Sequence, residues 1–271
     1  MIEKSVGNNK VQSIKSTIDV IVKANEKILD KGLVLPCAPS NDEKELYLVT
    51  NRCFLVTCGM ISLVTLSAGM WLFVLSSKYF YWFGAAAAFF MTYLLISYLG
   101  IAIWGKDFDH EEHREIMVKA MDKGYFPFVD IFLPCCGEPL SLMANTYKYV
   151  QSLDWPNLKV HVLDDGAEEE VRHLAELHGF NYIQRDNRPE LRKAGNLRWA
   201  FANTSGDLIV VFDADFCPRS DFLRETVPYF RDKKIAILQT PQFFRHRSNQ
   251  SWVERGAGVT QELFYRMVQV S

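Results

Sequence analysis

Two carboxylates one residue apart, Asp213 and Asp215, stand directly behind the apolar run Leu208-Ile209-Val210-Val211-Phe212. Acids that close together either repel each other or share a cation. The arrangement has counterparts upstream. Asp164-Asp165-Gly166 closes the apolar stretch 158–163, and Pro134-Cys135-Cys136-Gly137-Glu138 follows the stretch 128–133. Between the second and third of these acidic ends lies Lys193-Ala194-Gly195-Asn196-Leu197. A lysine at a helix start suits phosphate, and the glycine beside it allows close backbone approach. Each piece alone has an ordinary explanation: an Asp-x-Asp on a loop is more often a solvated turn, and a lysine at a helix start usually faces water. Their order along the chain is what carries a chemical reading.

The chemistry follows from charge. A nucleoside diphosphate would be repelled by acids alone, so a divalent metal held by Asp213 and Asp215 must bridge it. Oxygen ligands with retained waters point to Mg2+ or Mn2+. Asp164 or Asp165, together with Glu138, is left to accept hydrogen bonds from a base N–H or from ribose hydroxyls.

Such residues need a scaffold that brings distant strand ends together. Apolar runs at 128–133, 158–163, 181–184, 208–212 and 235–238 read as strands. Helical patterns at about 140–153, 168–178, 191–202 and 220–230 lie between them. This alternation predicts an α/β fold with a mostly parallel sheet and helices on both faces. The five-residue run at 208–212 predicts a strand buried on both faces, and the acids would converge on one crevice outside the carboxyl edge.

The first hundred residues have a different grammar. Residues 53–77 and 79–105 are two runs of 25 and 27 residues without a charge, separated by Lys78. Each can span a hydrocarbon layer of roughly 30 Å, and so short a connection predicts an antiparallel transmembrane hairpin. Ahead of it, Val11, Ile14, Ile18, Ile21 and Ile28 predict an amphipathic helix. The hairpin ends in Gly100-Ile-Ala-Ile-Trp-Gly105-Lys106-Asp107, which lacks both the preceding strand and the Ser or Thr of a phosphate-binding loop. His110-Glu111-Glu112-His113 has the wrong filling for a zinc protease helix and reads as a solvated face. A net charge of -2 argues against a nucleic-acid partner. The six cysteines form no disulfide framework and no Cys-x-x-Cys pair.

Pro134-x-x-x-Glu138, Asp164-Asp165-Gly166, Lys193 to Leu197, Asp213-Ala214-Asp215 and Thr240-Pro241-Gln242-Phe243-Phe244 follow in order behind the hairpin. This order resembles the processive family 2 glycosyltransferases of the cellulose synthase and cellulose synthase-like type, over residues 106–271. The resemblance implies a domain of the GT-A type on the cytosolic face of a plasma or inner membrane, in a multi-pass protein. Its organisation would be an N-terminal segment at 1–50, the hairpin at 51–105 and the glycosyltransferase domain at 106–271. The implied reaction is inverting transfer of a sugar, with glucose expected, from a UDP-sugar to a growing β-glucan such as cellulose. Implied nucleotide contacts are Pro134, Glu138, Asp164, Asp165, Lys193 and Asp213, with Asp213 and Asp215 as ligands of Mg2+ or Mn2+. Thr240, Pro241 and Gln242 would line the donor and acceptor site. Implied partners are the UDP-sugar, the polysaccharide acceptor, the lipid bilayer and subunits of a synthase complex.

Two departures qualify the likeness. Cys135 and Cys136 stand where many relatives carry Thr-Tyr. The family's general base, in a Thr-Glu-Asp motif, and its Gln-x-x-Arg-Trp motif have no counterpart up to Ser271, so the chain is expected to be the N-terminal part of a longer enzyme and inactive alone. Two other readings stay open: a chitin- or hyaluronan-type synthase using another UDP-sugar, and a membrane protein that binds nucleotide or a partner without turnover.

Overall fold

A computed structural model describes residues 35–48, 52–105, 107–244 and 250–265. The amphipathic helix expected at 11–28 lies outside the described residues. These divide into two compact units, one built on 114–236 with the short segment 35–38, the other on the remainder.

The second unit opens with α1 (Asn41–Leu48). Ser40 and Glu43 cap it reciprocally, each side chain accepting from the other's backbone N–H at 3.2 and 2.8 Å. The two apolar runs form α2 (Arg52–Ser76) and α3 (Tyr81–Trp104), joined by a 3-10 turn at Lys78–Phe80. Ser77 caps that turn by accepting from Tyr79 N. Phe73 stacks on Phe80 at 4.3 Å and meets Phe83 edge-on at 5.8 Å, closing the hairpin. Where the helices touch, Gly84 lies against Val74, and a Cβ there would come within 3.1 Å of the valine. Small residues at the contact are how helices pack without water to drive them together. Only 11% of each apolar window is buried, whereas a core helix of a soluble protein would be mostly enclosed. Both helices are long and apolar enough to cross a membrane. Helix α4 (His110–Asp122) begins here and runs on into the first unit from residue 114; Asp109 Oδ1 caps it, accepting from Glu111 N and Glu112 N at 2.9 and 3.0 Å. Glu111 and Glu112 are exposed, as a solvated face requires.

The first unit is the α/β domain. Its chain order is β1 (Val129–Cys135), α5 (Leu140–Gln151), β2 (Leu158–Asp164), α6 (Glu169–Leu177), β3 (Asn181–Ile183), α7 (Arg192–Asn203), β4 (Leu208–Val211) and α8 (Phe222–Thr226). The four strands are parallel in the order β3-β2-β1-β4. Alternate residues of β1 serve two cores. Val129, Ile131 and Leu133 pack with Met143, Tyr147 and Val150 of α5, Val171 and Leu174 of α6 and Leu223 of α8. Phe132 packs with Leu163 and with Ala200 of α7. Helices therefore cover both faces, as the strand and helix alternation predicted.

At the amino edge of the sheet the chain uses a buried polar chain. Asp130 Oδ2 accepts from Gly206 N at 2.7 Å, and Oδ1 meets His161 Nε2 at 2.9 Å. The other ring nitrogen meets Asn181 Nδ2 at 3.0 Å. With Asp130 1% and His161 3% exposed, this satisfies groups that would otherwise be costly to bury. Glycine is required at 206, since a Cβ would reach 2.7 Å from the Asp130 carboxylate.

Three expectations change. The run 208–212 is not buried on both faces: β4 is the sheet edge among the described residues, half-buried, with Val211 42% exposed. The strand enclosed on both faces is β1, all seven residues of which are buried. The segment 235–238 pairs with nothing among the described residues, and Ile237 is 86% exposed. Four apolar residues give no periodicity from which to decide whether a partner strand exists. The helix expected at 220–230 stops after one turn and continues as a 3-10 segment, Val227–Arg231, because Pro228 has no N–H to continue an α-helical ladder. The last described helix is α9 (Trp252–Phe264), opened by a capping box of Ser251 and Glu254.

Candidate active site

The chain runs from β1 outward to β2 and β3, then returns to the other side of β1 for β4. Loops after β1 and β4 must therefore part, and a crevice at such a reversal is where doubly wound sheets take ligands. The β1–β4 ladder ends at the pair Phe132 and Val211, two residues before Pro134. Pro134 thus needs no partner from β4 for its missing N–H, and it forms part of the crevice wall.

A cavity of about 720 Å3 opens here. It brings together six of the seven residues expected at the nucleotide and metal site: Pro134, Glu138, Asp165, Lys193, Asp213 and Asp215. The seventh, Asp164, is 1% exposed and points elsewhere. Its Oδ1 accepts from Gly166 N at 2.7 Å, and its Oδ2 accepts from Glu168 N and Tyr182 Oη, each at 2.8 Å. It shapes the turn into α6 and fixes β3 beside it. Thr240, Pro241 and Gln242 belong to the other unit, in a half-buried segment without regular structure.

Each lining acid has distinct surroundings. Glu138 Oε2 accepts from Cys136 N at 2.5 Å, folding the loop after β1 back on itself. Asp165 is gripped at both oxygens by Arg185, whose Nε and one terminal nitrogen each donate at 2.7 Å. This guanidinium is wholly buried and the Asp165 carboxylate nearly so. Asp213 pairs with the Lys193 ammonium, both about half exposed. Asp215 is exposed at the lip. On the far side of Asp164, burial together with Asp164, Glu170 and Glu138 pushes the Glu168 carboxyl above the usual range. Burial, then Asp164, Glu138 and Glu168, drives the Cys135 thiol upward, which leaves it an inert core group.

Arg185 was not legible as a site residue, since one arginine in the polar run Gln184-Arg185-Asp186-Asn187 carries no pattern. Besides gripping Asp165 it donates to the carbonyls of Glu190 and Arg192 at 2.7 and 3.1 Å. Between those carbonyls the backbone is left-handed at Leu191 and Arg192, with φ of 53° and 47°. Non-glycine residues persist there only where the surroundings over-determine them. Arg185 supplies that constraint, and α7 begins immediately afterwards, presenting Arg192 and Lys193 to the cavity. Gly195 completes the fit: a Cβ would collide with the Glu190 carbonyl oxygen and the Arg185 guanidinium.

The donor set suits a hard divalent cation. Asp213 and Asp215 offer two carboxylates at an open lip, and among the described residues no three His, Cys, Asp or Glu side chains form a closed cage. Mg2+ and Mn2+ fit such a site, because they keep waters and complete their shells with substrate phosphate oxygens.

The sequence profile of glycosyl transferase family 2 matches residues 130–269, just over half the chain, and the protein belongs to that family. Relatives within it include cellulose synthases. The chain is 45% identical over 122 residues to the UDP-forming cellulose synthase catalytic subunit of Pseudomonas fluorescens, covering 44% of this chain and 16% of the relative. It is 34% identical over 191 residues to cellulose synthase 2 of Novacetimonas hansenii, covering 68% and 12%. The chain thus spans less than a fifth of the length of these relatives. Among solved structures, the glucosyl-3-phosphoglycerate synthase of Mycobacterium tuberculosis, in complex with Mn2+, UDP and glucosyl-3-phosphoglycerate, overlaps with a TM-score of 0.30 at 23% identity, over 41% of this chain and 40% of that one. TarS 1–349 of S. aureus overlaps with a TM-score of 0.33 at 12% identity, over 42% and 38%.

Proposed function

We propose that this chain carries the donor site of a membrane-bound inverting hexosyltransferase of the cellulose synthase type, which takes glucose from UDP-glucose for addition to a β-glucan. The observation that carries the reading is the single crevice in which Glu138, Asp165, Lys193, Asp213 and Asp215 meet at the carboxyl edge of the sheet. Kinship with cellulose synthase catalytic subunits supports UDP-glucose as the donor.

In this reading Lys193 leaves Asp213 for the diphosphate, a move its half-exposed side chain permits. Asp213 and Asp215 would then hold Mg2+ or Mn2+. Bound there, the cation supplies charge neutralisation of the leaving diphosphate. Glu138 and Asp165 serve the nucleoside, and Arg185 holds Asp165 in place. Arg192 and Lys193 add positive charge at the start of α7, where the helix dipole has the same sign. Transfer with inversion also needs a base for the acceptor hydroxyl, commonly worth about 10² to 10⁴ in rate. None of the residues gathered in the crevice is offered for that role, so the reading assigns this chain donor binding and not polymer formation. In this reading the two apolar helices cross a bilayer, their length and apolar composition being what supports it, and both ends of the hairpin lie on the side where UDP-sugars are made.

The test is calorimetric titration of the chain in detergent with UDP, UDP-glucose and UDP-N-acetylglucosamine, each with Mn2+ and with chelator. Metal-dependent binding with preference for UDP-glucose is the expected result. Preference for the N-acetylated sugar would move the assignment to a chitin- or hyaluronan-type donor. No binding of any uridine nucleotide would overturn it.

A further inference from the structure

Asn196 lies on α7 one turn beyond Lys193 and lines the same cavity. Its side chain is 2% exposed. The amide nitrogen donates to the Leu163 carbonyl at 2.8 Å. That contact fixes which way round the amide sits, because the reverse orientation would set two acceptors against each other. The carbonyl Oδ1 is therefore turned away from Leu163, and among the described residues it is a buried acceptor without a hydrogen-bond partner. A buried polar atom left unpaired is costly, and one that persists beside a ligand cavity needs an explanation.

The position narrows what would satisfy it. Leu163 pairs with Pro134 across the sheet and precedes the two acids that end β2, so Asn196 sits on the β2 side of the crevice. The charged pair Lys193 and Asp213 occupies the phosphate end. In the donor-site reading a lining residue on the β2 side lies toward the nucleoside and away from the diphosphate, whose oxygens are themselves acceptors. Its Oδ1 needs an N–H or O–H donor.

Resting on the donor-site reading, we propose that Asn196 is a further nucleotide-recognition residue, whose Oδ1 accepts a hydrogen bond from a donor of the nucleoside. That donor is either the imide N–H of the pyrimidine or a ribose hydroxyl. The rigid anchoring to Leu163 makes the acceptor fixed in advance, so a nucleoside that cannot donate at that point leaves it buried and unpaired. Discrimination by a missing partner is stronger than discrimination by a missing contact.

The experiment titrates the full chain in detergent and Mn2+ with UDP, 2′-deoxy-UDP and 3-methyl-UDP, in wild type and in two variants. Asn196→Ala removes both amide groups; Asn196→Ser, which keeps a small polar side chain, is a second variant that guards against a fold that fails without it. The expected result is that one analogue binds wild type roughly 5- to 150-fold more weakly than UDP, the range for an unpaired buried acceptor. In the folded variants that gap closes. Loss with the deoxy analogue assigns the ribose hydroxyl, and loss with the methylated base assigns the imide. Equal binding of all three ligands by wild type overturns the proposal, and so does an analogue penalty that persists undiminished in the variants. If wild type bound no UDP, the donor-site reading itself would fall and this inference with it.

Discussion

Replacing Arg185 by methionine tests whether the crevice is held from beneath. The guanidinium is wholly buried and makes four hydrogen bonds of 2.7 to 3.1 Å, two to the Asp165 carboxylate and one each to the carbonyls of Glu190 and Arg192. Methionine fills much of the volume but leaves Asp165 as a buried charge without a partner. Breaking one side of such a pair costs about 3–5 kcal/mol. Two carbonyls also lose their donor, so the left-handed turn at Leu191 and Arg192 is released. The assay is urea unfolding of the chain in detergent, followed by near-ultraviolet circular dichroism. With a urea dependence of about 1–3 kcal/mol per molar, the midpoint should fall by at least about 1 M. The double variant Arg185→Met with Asp165→Leu should recover most of this loss, because neither charge is then left alone. It should not recover UDP binding if Asp165 also serves the nucleoside. A midpoint for Arg185→Met within about 0.3 M of wild type would refute the reasoning, since no buried charge would then have lost a necessary partner.

Three further outcomes are expected. Asp215→Ala should weaken UDP binding in Mn2+ by tenfold or more, an order-of-magnitude expectation for a lost charged ligand, and change little in chelator, measured by titration calorimetry. Gly195→Ala should lower the unfolding temperature, because its Cβ meets backbone and a locked guanidinium; overpacking of this kind costs about 1–3 kcal/mol. Glu168→Gln tests a pH dependence. The folded carboxyl titrates above its ordinary value, so the folded state holds that proton more tightly and stability falls as pH rises through the window between the two values. The glutamine variant should therefore have the higher Tm at pH 7, and the difference should shrink as the pH drops towards 4.

Element types and the meeting of the strand ends were legible because they depend on local pattern. The alternation of apolar runs with helical spacing placed β1, β2, β3, β4, α5, α6 and α7 within a few residues. Knowing that parallel strand ends share an edge was then enough to gather Glu138, Asp165, Lys193, Asp213 and Asp215. What was not legible depends on partners distant in the chain. Asp164 and Asp165 are indistinguishable as letters, yet one caps a turn through Gly166 and Glu168 while the other meets an arginine twenty residues on. The exposure of β4 could not be read from five apolar residues, because burial depends on whether another strand lies alongside. Asn196 stood inside a conspicuous motif, but only the Leu163 carbonyl reveals which amide atom is left over.

The lengths of the four strands have a consequence for solubility. The two central strands have seven residues each, whereas β3 has three and β4 four. A row of unpaired backbone groups at a sheet margin is a template on which another molecule can grow, and the hazard scales with its length. A margin of three or four residues offers a visiting strand only two or so hydrogen bonds, too few to offset the entropy of association. Among the described residues, the taper of the sheet thus limits what its margins offer to edge-to-edge pairing without a single charge on β4.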